Sequence, residues 1–194
     1  MAIKITKEDL IATKNIIRND TEYLFDFLDD MIKDTWNAKT SVLSKIYRIC
    51  VYIDGTNATN LIKQRKKANF YQISEVIQKH LPKYKQGDIR LFFDIVGEIK
   101  NNYNVELKSF ISKFLFYFTS IIYNDSETFV IYDSVVRNNL PKYTKINKTN
   151  SDYSKYKAAL QAIKDESGIA DITLRDIELH IWYKHKSPVS MPAE

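Results

Sequence analysis

Apolar positions recur at spacings of three and four along most of the 194-residue chain, which predicts a succession of amphipathic helices. The segment Thr21 to Trp36 shows the pattern well. Leu24, Phe25, Phe27, Leu28, Met31, Ile32 and Trp36 fall on one broad face, while Asp26, Asp29, Asp30 and Asp34 fall on the other. A helix from Thr6 to Arg18 precedes it, with Thr6 as cap and Asp9 three residues on, a relative of the capping box. Ser41 to Ile53 is expected to stop at Asp54-Gly55. Asn57 to Lys67 and Phe70 to His80 follow, and Pro82 ends the latter. Asp88 is placed to cap Ile89 to Asn101, whose Leu91, Phe92, Ile95, Val96 and Ile99 face the core.

The stretch Val105 to Tyr123 is apolar nearly all round, which predicts a helix at the centre of the fold. A polar turn, Asn124 to Glu127, leads into a short β-prone run, Phe129 to Tyr132. Asp133 then stands where a new helix, Ser134 to Leu140, should begin. Helices over Asp152 to Lys164 and Leu174 to Lys184 close the pattern.

Composition supports the same fold class. The chain holds 4 Gly and 4 Pro, far fewer turn residues than a β-sandwich or a nucleotide-binding α/β fold of this length would need. The expectation is an all-α, multi-helix globular domain. Within it, residues 1–81 read as an N-terminal helical part and 82–186 as a C-terminal helical core. The linker between them is Pro82 to Gly87, and 187–194 reads as a disordered tail. No internal repeat or low-complexity segment is evident.

The net charge of +5 matters less than its distribution. Residues 1–34 carry five basic and eight acidic groups. Residues 63–90 carry eight basic groups, among them Lys63, Arg65, Lys66 and Lys67, against two acids. Residues 137–157 carry six, among them Arg137, Lys142, Lys145 and Lys148, against Asp152 alone. Two basic segments interleaved with tyrosines suit a phosphate backbone, and a solvated lysine-rich surface is the competing reading. The four acids of Thr21 to Trp36 lack a glycine-turned loop to organise them for calcium and read as a solvated face.

Several chemistries find no support. There is no P-loop, no GxGxxG and no GxSxG. The three histidines, His80, His180 and His185, do not space with acids as a metal triad, and a single cysteine excludes a disulfide framework. Cys50 sits in an apolar run and reads as a buried, inert thiol. No cofactor or metal is therefore expected. The N-terminal residues lack a signal-peptide core, and no window approaches the length of a membrane span, so the expectation is a cytoplasmic protein with no membrane partner.

Two resemblances rest on the segment Ser109 to Leu140. Ile111-Ser112-Lys113-Phe114, then Val130-Ile131-Tyr132-Asp133-Ser134-Val135-Val136, then Arg175 to Trp182 resemble an uncharacterised bacterial family. Its members carry an ATKYxS helix, a PIYDSxV turn and a later DxxxW helix. Here Glu178 stands four residues before Trp182, where that pattern has an aspartate. The same segment is similar to the helix-hairpin-helix DNA glycosylase superfamily, whose signature V-D-x-x-V/I-x-R is matched by Asp133 and Val136. Arg137 falls one position early, and Asn101 to Asn104 stands for the hairpin, without its glycine.

The resemblance implies a DNA partner and a glycosylase-like helical core. Asp133 would be the catalytic acid, with Lys113 or Lys108 as nucleophile. Arg137, Lys142, Lys145 and Lys148, with Lys63, Arg65, Lys66 and Lys67, would contact phosphate. Tyr132, Tyr117 and Trp182 would be stacking partners for an extruded base. Read from the residues alone, Asp133 is a helix cap and the aromatics are core packing. The rival to a DNA-interacting protein is a non-enzymatic helical module that binds another protein through an exposed aromatic patch.

Overall fold

A computed structural model describes residues 2–57, 67–145 and 152–186, with backbone alone over 17–26 and at 57. All regular structure among the described residues is helical, as the composition requires. The order is α1 (Lys7–Asn37), α2 (Val42–Asn57), α3 (Phe70–His80), a 3-10 turn (Leu81–Lys83), α4 (Arg90–Tyr103), α5 (Lys108–Ile122), α6 (Ser134–Asn139), a second 3-10 turn (Leu140–Lys142), α7 (Tyr153–Ser167) and α8 (Leu174–His185). No described helix is long and apolar enough to cross a membrane.

The chain divides into two compact units: Met1–Ile17 with Asp133–Glu194, and Arg18–Tyr132. In the second unit, α2 packs on α3, α3 on α4, α4 on α5, and α5 back on α2. Each residue from Phe110 to Thr119 is buried, so α5 lies in the core as its all-round apolarity predicts. Phe114 stacks on Phe118 at 5.6 Å, and Trp36 meets Phe118 edge-on at 4.7 Å. The β-prone run Phe129 to Tyr132 is extended and buried but joins no sheet. Its backbone is satisfied instead by a side chain, since Tyr132 N–H donates to Ser112 Oγ at 2.9 Å.

The expected linker Pro82 to Gly87 lies inside this second unit. Tyr84 OH donates to Asp125 Oδ2 at 2.5 Å, and Gly87 N–H donates to Thr128 Oγ1 at 2.6 Å. Both bonds tie the segment to the polar turn that follows α5. Gly87 has φ 81, a left-handed conformation that favours glycine.

In the first unit, α6 and α7 both pack on α8. The N-terminal segment joins them. Ile3 N–H donates to Lys142 O at 2.8 Å, Thr13 Oγ1 lies 2.9 Å from His180 Nδ1, and Lys14 pairs with Asp176 at 3.0 Å. Thr6 and Asp9 form the reciprocal cap expected from the sequence. Thr173 and Asp176 form another at α8, and Asp152 caps α7.

Three boundaries differ from expectation. The two N-terminal helices are one, because Asn19-Asp20-Thr21 costs only a few tenths of a kcal/mol per residue in a helix and no proline intervenes. α2 continues through Asp54-Gly55, since Gly55 keeps a negative φ and its ~1 kcal/mol propensity cost does not break a packed helix. α5 begins at Lys108 rather than Val105, because Asn104 ends α4 in the left-handed conformation (φ 51) and three non-helical residues follow. The expected helix Asn57 to Lys67, except at its ends, and the expected tail 187–194 lie outside the described residues.

The tetrapeptide Leu-Pro-Lys-Tyr occurs twice, at 81–84 and 140–143, once in each unit. Both copies end a helix with the same 3-10 turn and bury the leucine. In both the lysine reaches back to the residue before the leucine: Lys83 Nζ lies 3.5 Å from His80 Nδ1, and Lys142 Nζ donates to Asn139 Oδ1 at 2.8 Å. This is a recurrent helix stop, too short to register as a repeat in the hydropathy pattern.

Candidate functional site

Asp133 is the N-cap of α6, with φ −87 and ψ 142, and its carboxylate accepts from Val135 N–H at 2.7 Å and Val136 N–H at 3.4 Å. Both bonds fall on Oδ1, so the cap engages one oxygen of the two. Asp133 is half-buried.

A polar cluster lies on the helices that carry α6. Glu178 of α8 is buried, and its Oε1 accepts from Tyr156 OH at 3.0 Å. Arg175 Nη1 stands 3.5 Å from the other oxygen. Burial, then the charge of Glu178, raises the Tyr156 pKa well above the ordinary phenol value, so the phenol remains a donor. Asp133 adds to that rise, which places its charge within electrostatic reach of Tyr156. Glu178 occupies the acidic position of the DxxxW resemblance, where its role here is to bind Tyr156 and Arg175.

The basic residues of this unit that the sequence reading assigned to phosphate follow Asp133 in the chain. Arg137 is half-buried in α6, Lys142 is exposed on the 3-10 turn, and Lys145 is exposed just beyond it. Trp182 is half-exposed on α8, and Lys186 Nζ sits 3.9 Å over its ring. Lys148 lies outside the described residues, as do Lys63, Arg65 and Lys66; Lys67 is exposed in the second unit.

The other predicted residues belong to the second unit as well. Lys113 is buried in mid-helix on α5. Lys108 is the first residue of α5 and lies 3.7 Å from Glu106. Tyr117 and Tyr132 are buried among the core residues of that unit.

No group of three or more His, Cys, Asp or Glu side chains among the described residues could hold a metal ion. Of the four acids read as a solvated face, Asp30 and Asp34 of α1 are exposed and Asp29 is half-buried, while the side chain of Asp26 lies outside the described residues. Each histidine has a partner: His80 Nε2 donates to Glu98 at 2.7 Å, His180 meets Thr13, and His185 Nε2 lies 2.9 Å from Tyr143 OH. The Cys50 thiol is fully buried, and burial pushes its pKa up to about 12, which keeps it protonated and inert.

Sequence reasoning passed over Tyr156, and it did not foresee the buried hydrogen bonds of Glu178 and His180. Tyr156 and Glu178 are twenty-two positions apart in the chain, and only the packing of α7 on α8 pairs them. An acid and a histidine at apolar register, Glu178 four positions from Leu174 and His180 three from Ile177, were the available signal. No protein-family model, curated protein or solved structure matches the chain.

Proposed function

We propose that this chain is a DNA-interacting protein related to the base-excision DNA glycosylases, acting through the Asp133 turn. The observation that carries the reading is the cap itself. A helix start holds an aspartate by one oxygen and is followed by Arg137, Lys142 and Lys145 within four turns of chain. In base excision a carboxylate stabilises the positive charge that develops on the sugar as the base departs, or activates water. Oδ2 of Asp133 is the atom suited to that task. The three cations suit phosphate contacts, which supply most of the affinity of such complexes. Lys113 and Lys108 are given no part in this reading.

The test is binding of labelled single- and double-stranded DNA at about 50 and about 200 mM salt, a range over which phosphate contacts lose orders of magnitude in affinity. Asp133→Asn is run alongside, together with an assay for base release from a panel of damaged duplexes. Steep loss of affinity with salt, an Asp133→Asn variant that binds at least as tightly as the parent, and base release that the variant abolishes support the reading. Binding without base release assigns a non-catalytic DNA-interacting role. Absence of binding at low salt refutes a DNA partner.

A second reading, a protein-interaction module, is favoured by one feature of the second unit. Tyr47 and Val51, one turn apart on α2, and Tyr71 of α3 are exposed, and Tyr47 packs edge-on against Phe70 at 6.3 Å. Exposed apolar side chains that cluster in this way commonly mark contact surfaces.

A further inference from the structure

The last turn of α8 and the second Leu-Pro-Lys-Tyr turn meet within the first unit. Tyr143 OH and His185 Nε2 are 2.9 Å apart, and the two rings stand edge to face at 5.8 Å. Lys142 precedes Tyr143 and Lys184 precedes His185, and both lysines are exposed. Lys142 Nζ donates to Asn139 Oδ1, a neutral partner. His185 feels both lysines. Partial burial, then Lys142 and Lys184, lowers its pKa below the ordinary 6.5, and no acid contributes to the shift. Asp9 of α1 is an acid that acts here, on Tyr143, His180 and Lys184. Lys186 of the same turn is engaged over Trp182.

His185 and His180 differ in what protonation does to them. A phenol can donate or accept, so Tyr143 OH can turn from donor to acceptor and His185 can gain a proton without losing its partner. Thr13 Oγ1 already donates to Asp9 O at 2.9 Å, so toward His180 it accepts, and Nδ1 carries the His180 proton. His180 Nε2 is buried with no hydrogen-bond partner, so a second proton there would be stranded. His185 is therefore the histidine built to change charge.

We propose that Lys142, Lys184 and His185 form a phosphodiester-contacting surface of the first unit, with His185 taking up a proton when DNA binds. The inference rests on the DNA reading above and names contacts that reading lacks, since Lys184 and His185 lie on α8, about fifty residues beyond Asp133. Lys142 and Lys184 both act on His185 with no acid opposing them there, while Asp9 acts on Lys184 and Tyr143; two fixed cations and one conditional cation against one carboxylate leave a net positive site where an anion relieves repulsion. Linkage then requires that phosphate binding raise the affinity of His185 for its proton. A nucleic-acid backbone is favoured over a lipid surface because the aromatic ring at this end, Trp182, is already covered by a cation and offers no free wedge for a bilayer.

The experiment compares the full chain with Lys142→Gln, Lys184→Gln and His185→Gln for binding to labelled duplex DNA, over a salt series and from pH 7.5 to 5.5. The two lysine changes are at exposed positions, so folding does not confound them. The expected result is a log–log salt slope reduced by about 0.9 for each lysine removed. Parental affinity should rise severalfold as pH falls, and His185→Gln should abolish that rise. An NMR titration of the His185 ring should show its midpoint move upward when DNA is added. Parental binding whose salt slope is unchanged in both lysine variants places the phosphate contacts elsewhere and overturns this inference, while the DNA reading stands. No binding of the parent to DNA overturns both. Binding to anionic phospholipid vesicles in place of DNA, with the same dependence on the two lysines, overturns the nucleic-acid assignment in favour of a membrane surface.

Discussion

Replacing Tyr156 by Phe removes one oxygen atom and opens no cavity. The ring itself is kept, so the change removes the bond from Tyr156 OH to Glu178 Oε1, 3.0 Å long between two side chains that are at most 1% exposed. Water cannot reach the site to replace the lost donor. A hydrogen bond to a charged group contributes about 1.5–3 kcal/mol, and a buried acceptor left without its donor carries a desolvation cost of similar size. Arg175 remains 3.5 Å from the other carboxylate oxygen, side chain about one-fifth exposed, and limits the damage. The expected loss is therefore about 2–3 kcal/mol. With a urea m-value of about 2 kcal/mol/M, the midpoint should fall by about 1–1.5 M.

Equilibrium urea unfolding followed by tryptophan fluorescence measures it, and the cycle with Glu178→Gln assigns it to the pair. A coupling of about 1 kcal/mol or more is expected. A loss under about 0.5 kcal/mol, or additivity in the cycle, would refute the view that this pair is a dry structural bond holding α7 to α8.

Three further outcomes follow from the geometry. Asp133→Ala should cost about 1 kcal/mol by removing the cap of α6, and Asp133→Asn much less, both read from thermal unfolding; a loss above about 3 kcal/mol would mean the carboxylate holds more than its cap. Burial, with Lys184 alongside, lowers the His180 pKa below 6.5, so folding favours the neutral ring. Its contribution is then complete above about pH 6.5, where the unfolded ring is also neutral, and is lost as pH falls below that value toward the lower folded pKa. His180→Gln should flatten that part of the stability–pH curve, and an unchanged curve would count against the buried neutral ring. Cys50 should resist a thiol reagent at pH 8 in the folded protein and react at once in denaturant, since its pKa is pushed up to about 12; rapid labelling of the native chain would contradict the burial.

The sequence by itself determined the helices, and for reasons that operate over one or two turns. Periodicity of three and four fixed α3, α4 and α8 to within two residues, and the all-round apolarity of Phe110 to Phe118 fixed α5 as the core. Capping is equally local: Thr6 with Asp9, Asp133 and Asp152 each bond backbone N–H groups two or three residues away, so their roles are written in adjacent letters. Where the local signals were weak, packing prevailed, and Asn19-Asp20 and Asp54-Gly55 stayed helical.

Only the tertiary structure decided which distant residues meet. Tyr156 finds Glu178, Thr13 finds His180 and Tyr143 finds His185 across 22, 167 and 42 positions of chain. A hydrogen bond at that separation leaves no periodic trace, because each partner occupies one position on its own helix and the crossing of the two helices selects the pair. The same holds for charge. Composition counted the lysines of 137–157, but only packing brought Lys142, like Lys184, within electrostatic reach of His185, and placed Tyr143 where His185 can change its charge and keep its bond.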